Sequence, residues 1–134
     1  MRVVGGYAVV VTDRLRECRD FYAGRLGFAV VFEADWFVLL DAGGVAVAFM
    51  RPEHPSAPPS PGPHAGDGAF LTVQVADAAA EYETLRAGGA RFALPLTDEP
   101  WGQRRFGLVD PAGQWVDVVE QTEPEPGWWD PYLA

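Results

Sequence analysis

The sequence predicts an α+β protein made of two tandem βαβββ units, whose curved mixed sheets surround a cleft. Three observations carry that prediction. First, a strand-helix-strand phrase is written twice, about half a chain apart: Tyr7–Asp13 leads to a helical stretch ending near Ala23, and Phe70–Asp77 leads to one ending at Ala87. Second, each helix is followed by glycine (Gly27 in one copy, Gly88-Gly89 in the other) and then a new apolar run. Third, each copy closes on the same hairpin punctuation, Leu40-Asp41-Ala42-Gly43-Gly44 and Val109-Asp110-Pro111-Ala112-Gly113. At 134 residues the two copies share one domain, because half that length is too small to bury a core by itself.

The elements follow in chain order. Gly6–Thr12 alternates or runs apolar and reads as a strand. Asp13 offers an N-cap, Leu15, Cys18 and Phe21-Tyr22 recur at helical spacing, and Gly24 and Gly27 stop the helix. Ala29–Glu33, Trp36–Asp41 and Val45–Arg51 complete the first unit, residues 1–51, the last two joined by a turn that supplies glycines able to take φ > 0. Residues 52–68 hold six of the twelve prolines, so this linker forms neither helix nor sheet. The second unit, residues 69–121, begins with the strand Ala69–Ala76. Asp77 caps a helix whose stripe is Ala78, Tyr82 and Leu85, and strands Arg91–Leu96, Arg104–Asp110 and Trp115–Glu120 follow. The tail, residues 122–134, contains three prolines that exclude a further strand; its Trp128, Trp129 and Tyr132 are expected to pack on the body or on a partner subunit.

Composition narrows the function. Ten basic residues against nineteen acidic give a net charge of −9, which argues against nucleic-acid binding, since that rests on a basic face. No apolar run is long enough to span a bilayer, no signal peptide is visible, and the lone Cys18 cannot form an internal disulfide; a cytoplasmic location is the expectation. Cys18 lies on the apolar face of the first helix and is expected to be a buried hydrophobe. The long linker allows the units to pair within one chain or to be exchanged between two, so a homodimer, domain-swapped or not, is the expected assembly.

Residues 4–121, and above all Pro100–Gly113 (PWGQRRFGLVDPAG) with Asp13 through Phe21-Tyr22 and Leu26-Gly27-Phe28, resemble the vicinal oxygen chelate superfamily. That superfamily includes glyoxalase I, extradiol dioxygenases, fosfomycin-resistance enzymes and bleomycin-resistance proteins, and the final motif is most similar to the bleomycin-resistance type. The resemblance implies the glyoxalase/bleomycin-resistance fold. It also implies where catalytic members place their divalent ion. Two donor positions begin the first strand of each unit and are here Gly6 and Phe70; a third, usually glutamate, is here Asp117; the comparable place in the first unit falls near Ala48. One carboxylate cannot hold a catalytic ion, since a stable site needs three or four donors. His54 and His64, the only histidines, lie in the proline-rich linker and are expected to be solvated. No metal and no other cofactor is therefore expected.

Strand alternation suggests the lining instead. Phe70, Thr72 and Gln74 share one face, as do Trp115, Asp117 and Val119; in the first unit Gly6, Ala8 and Val10 face Ala46, Ala48 and Met50. A one-residue slip in register would exchange every assignment. Trp36, Trp101 and Trp115 are candidate aromatic walls, and of the adjacent Arg104 and Arg105 one faces inward toward Asp117 or a ligand carboxylate, with Arg104 taken as the candidate. The expected ligand-binding set is thus Trp36, Ala48, Met50, Phe70, Thr72, Gln74, Trp101, Arg104, Trp115 and Asp117. No nucleophile with a histidine partner can be assembled, no spacing supports an acid-base pair of Asp117 with Glu33 or Glu99, and no glycine pair matches a phosphate loop. The function expected is metal-independent binding that sequesters an aromatic or cationic antibiotic or metabolite. The alternative is a lyase, isomerase or dioxygenase with a nonstandard metal site.

Overall fold

The structure, a computed structural model, describes residues 1–58 and 62–133. The chain divides into two compact units: Met1–Gly68 together with Asp110–Gln114, and Ala69–Val109 together with Trp115–Ala134. Each holds one four-stranded mixed sheet and one α-helix.

In the first unit β1 (Ala8–Val11) leads to α1 (Leu15–Asp20), then β2 (Ala29–Glu33), β3 (Phe37–Ala42) and β4 (Val45–Met50). The sheet order is β1-β4-β3-β2, with β1 parallel to β4 and the rest antiparallel. One face carries Val10, Val38, Leu40, Val47 and Phe49 onto α1, where Leu15, Cys18 and Tyr22 are buried. Tyr22 is the centre of this core, its ring 5.4 Å from Phe28 and 5.1 Å from Phe49. α1 is shorter than expected, and a π-helical turn, Phe21–Arg25, continues it. Gly27 (φ +74°) then turns the chain so that the Phe28 N–H reaches the Tyr22 carbonyl over 2.9 Å. Asp13 does not cap α1: no side chain caps it, and the preceding Thr12 hydroxyl accepts from the Arg14 N–H instead.

In the second unit β5 (Phe70–Gln74), α2 (Ala78–Ala87), β6 (Leu94–Glu99), β7 (Gln103–Val109) and β8 (Trp115–Gln121) repeat the pattern in the order β5-β8-β7-β6. Asp77 caps α2 as expected, accepting from Ala80 N–H at 3.0 Å, and Gly88 and Gly89 end it. Ala78, Tyr82 and Leu85 face the sheet, with Tyr82 and Phe92 on the buried Phe106. β6 lies three residues later than its apolar run suggests. Phe92 is drawn into this aromatic cluster, and Asp98 and Glu99 instead pair across to Arg104 and Gln103. A register shift between Leu94 and Thr97 spans Pro95, which has no N–H to give the ladder.

The turn Asp110–Gln114 belongs to the first unit although it joins β7 to β8 in sequence. Of the expected linker, Pro59, Ser60 and Pro61 lie outside the described residues; the Pro52–Ala57 portion is a series of turns. The tail packs on the second unit, where Trp129 donates its indole N–H to the Trp101 carbonyl (2.9 Å) and Trp128 stands 5.7 Å from the Trp101 ring. Among the described residues no helix is long and apolar enough to cross a membrane.

Candidate functional site

Each unit presents one organised face, on the side of its sheet away from the helix. In the first unit the register pairs Val9 with Ala48 and Val11 with Met50, and opposes Leu39 to Ala48 and Phe37 to Met50. Side chains directly opposite one another share a face, so the odd-numbered residues of β1 stand beside Met50. The expectation that Gly6, Ala8 and Val10 line this face is therefore corrected by one residue. Val10 is buried toward the helix side, while Tyr7, Val9 and Val11 line a hollow of 590 Å³. Phe32, Trp36 and Phe37 form its aromatic wall beside Met50, and Ser56 and Pro58 from the linker also line it. Ala48 is corrected as well: it is fully buried in the row between Val9 and Leu39 and does not line the hollow.

The linker contributes more than solvated side chains. The His54 imidazole stacks flat on Trp36, centroids 3.7 Å apart and planes 5° from parallel, and its Nδ1 is 2.7 Å from the Ser56 hydroxyl. Nε2 of His64, the second linker histidine, is buried. Among the described residues the lining of the hollow holds no carboxylate, imidazole, thiol or guanidinium, though its Ser56 and Trp36 both touch the His54 imidazole. Such a surface can stack on and desolvate a flat ligand.

In the second unit Phe70, Thr72 and Gln74 pair with Trp115, Asp117 and Val119, and so share one face as expected. Across β7 the partners of Asp117 and Val119 are Gly107 and Arg105. Arg105, not Arg104, is therefore the inward arginine; Arg104 turns to the other face and pairs with Asp98 at 2.6 Å, both exposed. The Arg105 guanidinium spans two carboxylates, 3.3 Å from Asp117 and 3.2 Å from Glu99, and lies 5.1 Å from the Trp101 ring centroid. Asp117 is almost wholly buried, its side chain 5% exposed, and its other oxygen is 3.4 Å from the Trp115 indole nitrogen. Gly107 makes room for that indole: a Cβ there would stand 2.7 Å from Trp115 Cε2. Glu99 is brought to Asp117 through Arg105, a relationship that sequence spacing does not show because β6 begins later than its apolar run. Trp36 belongs to the first unit and Trp101 and Trp115 to the second, so no single unit contains all three tryptophans.

A separate buried polar cluster in the first unit is structural. Asp110 accepts from the Ala112 and Gln114 N–H groups and from the Tyr22 hydroxyl at 2.8 Å. Burial holds its carboxyl above the ordinary range, against the pull of those three donors. Burial likewise pushes the Cys18 thiol up to about 12, which leaves it an inert core residue as expected.

The donor set does not fit a divalent ion. The two donor positions that the resemblance implies are Gly6, which lies before β1, and Phe70, and Asp117 is already engaged by a guanidinium. Among the described residues no three His, Cys, Asp or Glu side chains gather in a group able to hold one.

Residues 6–118 match the model of the Glyoxalase/Bleomycin resistance protein/Dioxygenase superfamily. Among solved structures, a glyoxalase/bleomycin resistance protein/dioxygenase from Nocardioides is 24% identical, with a TM-score of 0.74 over 95% of this chain and 89% of that one. A member of the same superfamily from Sphaerobacter thermophilus is 26% identical, with a TM-score of 0.69 over 90% of this chain and 98% of its own. Lactoylglutathione lyase from Agrobacterium tumefaciens shares the fold at 19% identity, with a TM-score of 0.71 over 90% of this chain and 96% of that one. No curated protein matches the sequence. Two tandem βαβββ units, the closing Asp-Pro-Ala-Gly hairpin and a family match over most of the length lead to one conclusion: the chain belongs to the glyoxalase/bleomycin resistance protein/dioxygenase superfamily.

Proposed function

We propose that this protein is a metal-independent binder that sequesters a flat aromatic small molecule, an antibiotic or a metabolite, in the hollow of its first unit. The observation that carries this reading is the aromatic composition of the 590 Å³ lining: Tyr7, Phe32, Trp36 and Phe37 supply faces on which a flat ligand can stack. Aromatic faces also attract cationic groups, so a ligand bearing a positive charge is accommodated without a carboxylate in the hollow. The metal-dependent alternative asks for donors that Gly6 and Phe70 do not have.

A homodimer is the form expected for this binder. Edge strand β2 exposes Val30, Val31 and Phe32, and Phe32 also lines the hollow, so a second copy on that edge would extend its wall. Light scattering at working concentration measures the assembly.

The test is saturable quenching of tryptophan fluorescence across a panel of aromatic antibiotics and metabolites, repeated on Trp36→Phe. Saturation in the parent protein with weakened binding in the variant supports the reading. A flat response across the panel overturns it, as does stoichiometric metal retained through dialysis with turnover of a glyoxalase-type substrate.

A further inference from the structure

A second groove, of 500 Å³, lies on the first unit between α1, the end of β2 and the exit of β4. It shares no lining residue with the aromatic hollow. Three arginines line it, Arg16, Arg19 and Arg51, against two acids, Glu33 and Asp35. All ten basic residues of the chain are arginine, and in a protein of net charge −9 it is notable that three of them meet at one groove.

The three arginines have different partners. Arg19 is committed to carboxylates on both sides, 2.8 Å from Asp20 and 2.6 Å from Glu33, and serves as a fixed wall. Arg51 donates through Nε to the Asp35 backbone carbonyl at 2.8 Å. That bond fixes the guanidinium plane without neutralising its charge, and no ion pair engages Arg51 among the described residues. The Arg16 side chain makes no hydrogen bond or ion pair among the described residues. Two guanidinium groups with no ion-pair partner among the described residues therefore line one groove with the Asp35 side chain, beside buried Leu15 and Val38. A planar fork held by its Nε presents its terminal N–H groups in the geometry that matches a carboxylate or phosphate.

We propose that this groove is a binding site for a small organic oxyanion, a phosphate or carboxylate on a compact apolar body, held between Arg16 and Arg51. The Asp35 carboxylate beside them disfavours polyanions, so nucleic acid is not the ligand. The proposal is independent of the aromatic hollow and stands or falls separately from it.

Titration calorimetry with butyl phosphate and with cyclohexanecarboxylate, neither of them a flat aromatic, at constant ionic strength, tests it on the full chain. Saturable one-to-one binding of either probe is expected. Arg51→Gln and Arg16→Gln should each weaken it by about tenfold or more, the size expected for losing a charge-assisted hydrogen bond. Trp36→Phe, in the hollow, and Arg104→Gln, in the second unit, should leave it unchanged. Thermal melts confirm that each variant is folded; where a glutamine variant is not, Arg51→Lys, which keeps the charge but loses the fork, takes its place. Absence of saturation with both probes, full affinity in the Arg16→Gln, Arg51→Gln double variant, or equal loss in Arg104→Gln or Trp36→Phe would overturn the proposal.

Discussion

The hydroxyl of Tyr22 donates to the carboxylate of Asp110 across 2.8 Å, although 88 positions separate the two in sequence. Tyr22 comes from the π-helical turn after α1, and Asp110 opens the turn between β7 and β8 that belongs to the first unit. The bond joins the two parts of the sequence from which that unit is built.

Tyr22→Phe keeps the ring in the core and removes only the donor. Asp110 then loses one of three partners while still buried, at a cost of about 1–3 kcal/mol. Urea unfolding of the two proteins measures the difference, and an unchanged midpoint would show that the bond contributes nothing net.

The pH dependence of stability has a definite sign at Asp110. Its native carboxyl titrates above the ordinary range because it is buried, so the folded protein holds that proton to higher pH than the unfolded chain does. The unfolded chain releases it near pH ~4, and stability from this group declines as pH rises from there through the native value. Asp110→Asn, which cannot ionise, should flatten this decline in denaturation curves taken between about pH 4 and pH 7. Parallel curves for parent and variant would mean that Asp110 ionises alike in both states.

Gly107→Ala places a methyl group against the Trp115 indole, which is rigid and lies over the glycine. The ring must move, and overpacking of this kind costs about 1–3 kcal/mol. A shifted tryptophan emission maximum should accompany the loss. Trp115→Leu, placed on the same background, should recover part of the stability by removing the obstacle.

Arg105 is the counter-ion of two carboxylates whose side chains are only 5% and 14% exposed, Asp117 and Glu99. Arg105→Ala leaves both without it. With the Arg105 side chain 27% exposed, solvent screening reduces the cost to about 1–3 kcal/mol, below that of a fully buried pair. In a double-mutant cycle Asp117→Asn should offset part of that loss. Additive effects would show that the two side chains do not depend on each other.

Much of this architecture was legible because it rests on local chemistry. The Asp77 cap, the glycine stops and the two hairpin turns are set by residue type at a fixed offset, and the structure keeps them. Alternation correctly placed Phe70, Thr72 and Gln74 with Trp115 and Asp117. It misplaced β1 by one residue and chose Arg104 over Arg105, since an uninterrupted run such as Ala8–Val11 has no polar side to declare which face is inner. Tyr7 was the missed signal: the sequence Tyr7-Ala8-Val9-Val10-Val11 puts its one aromatic on the odd-numbered face. Trp36 and Met50 line the hollow, and so do Phe32 and Phe37, which were not foreseen.

What the sequence determined by itself is the duplicated unit of one helix and four strands, with the turns that close it. What only the tertiary structure decided is which of two equivalent strand faces is used, that Glu99 and Asp117 meet on one guanidinium, and that His54 lies flat on Trp36. The reason is physical. A strand's period of two offers both faces equally, and only the hydrogen-bond register with a distant strand, fixed by burying the apolar side, selects between them.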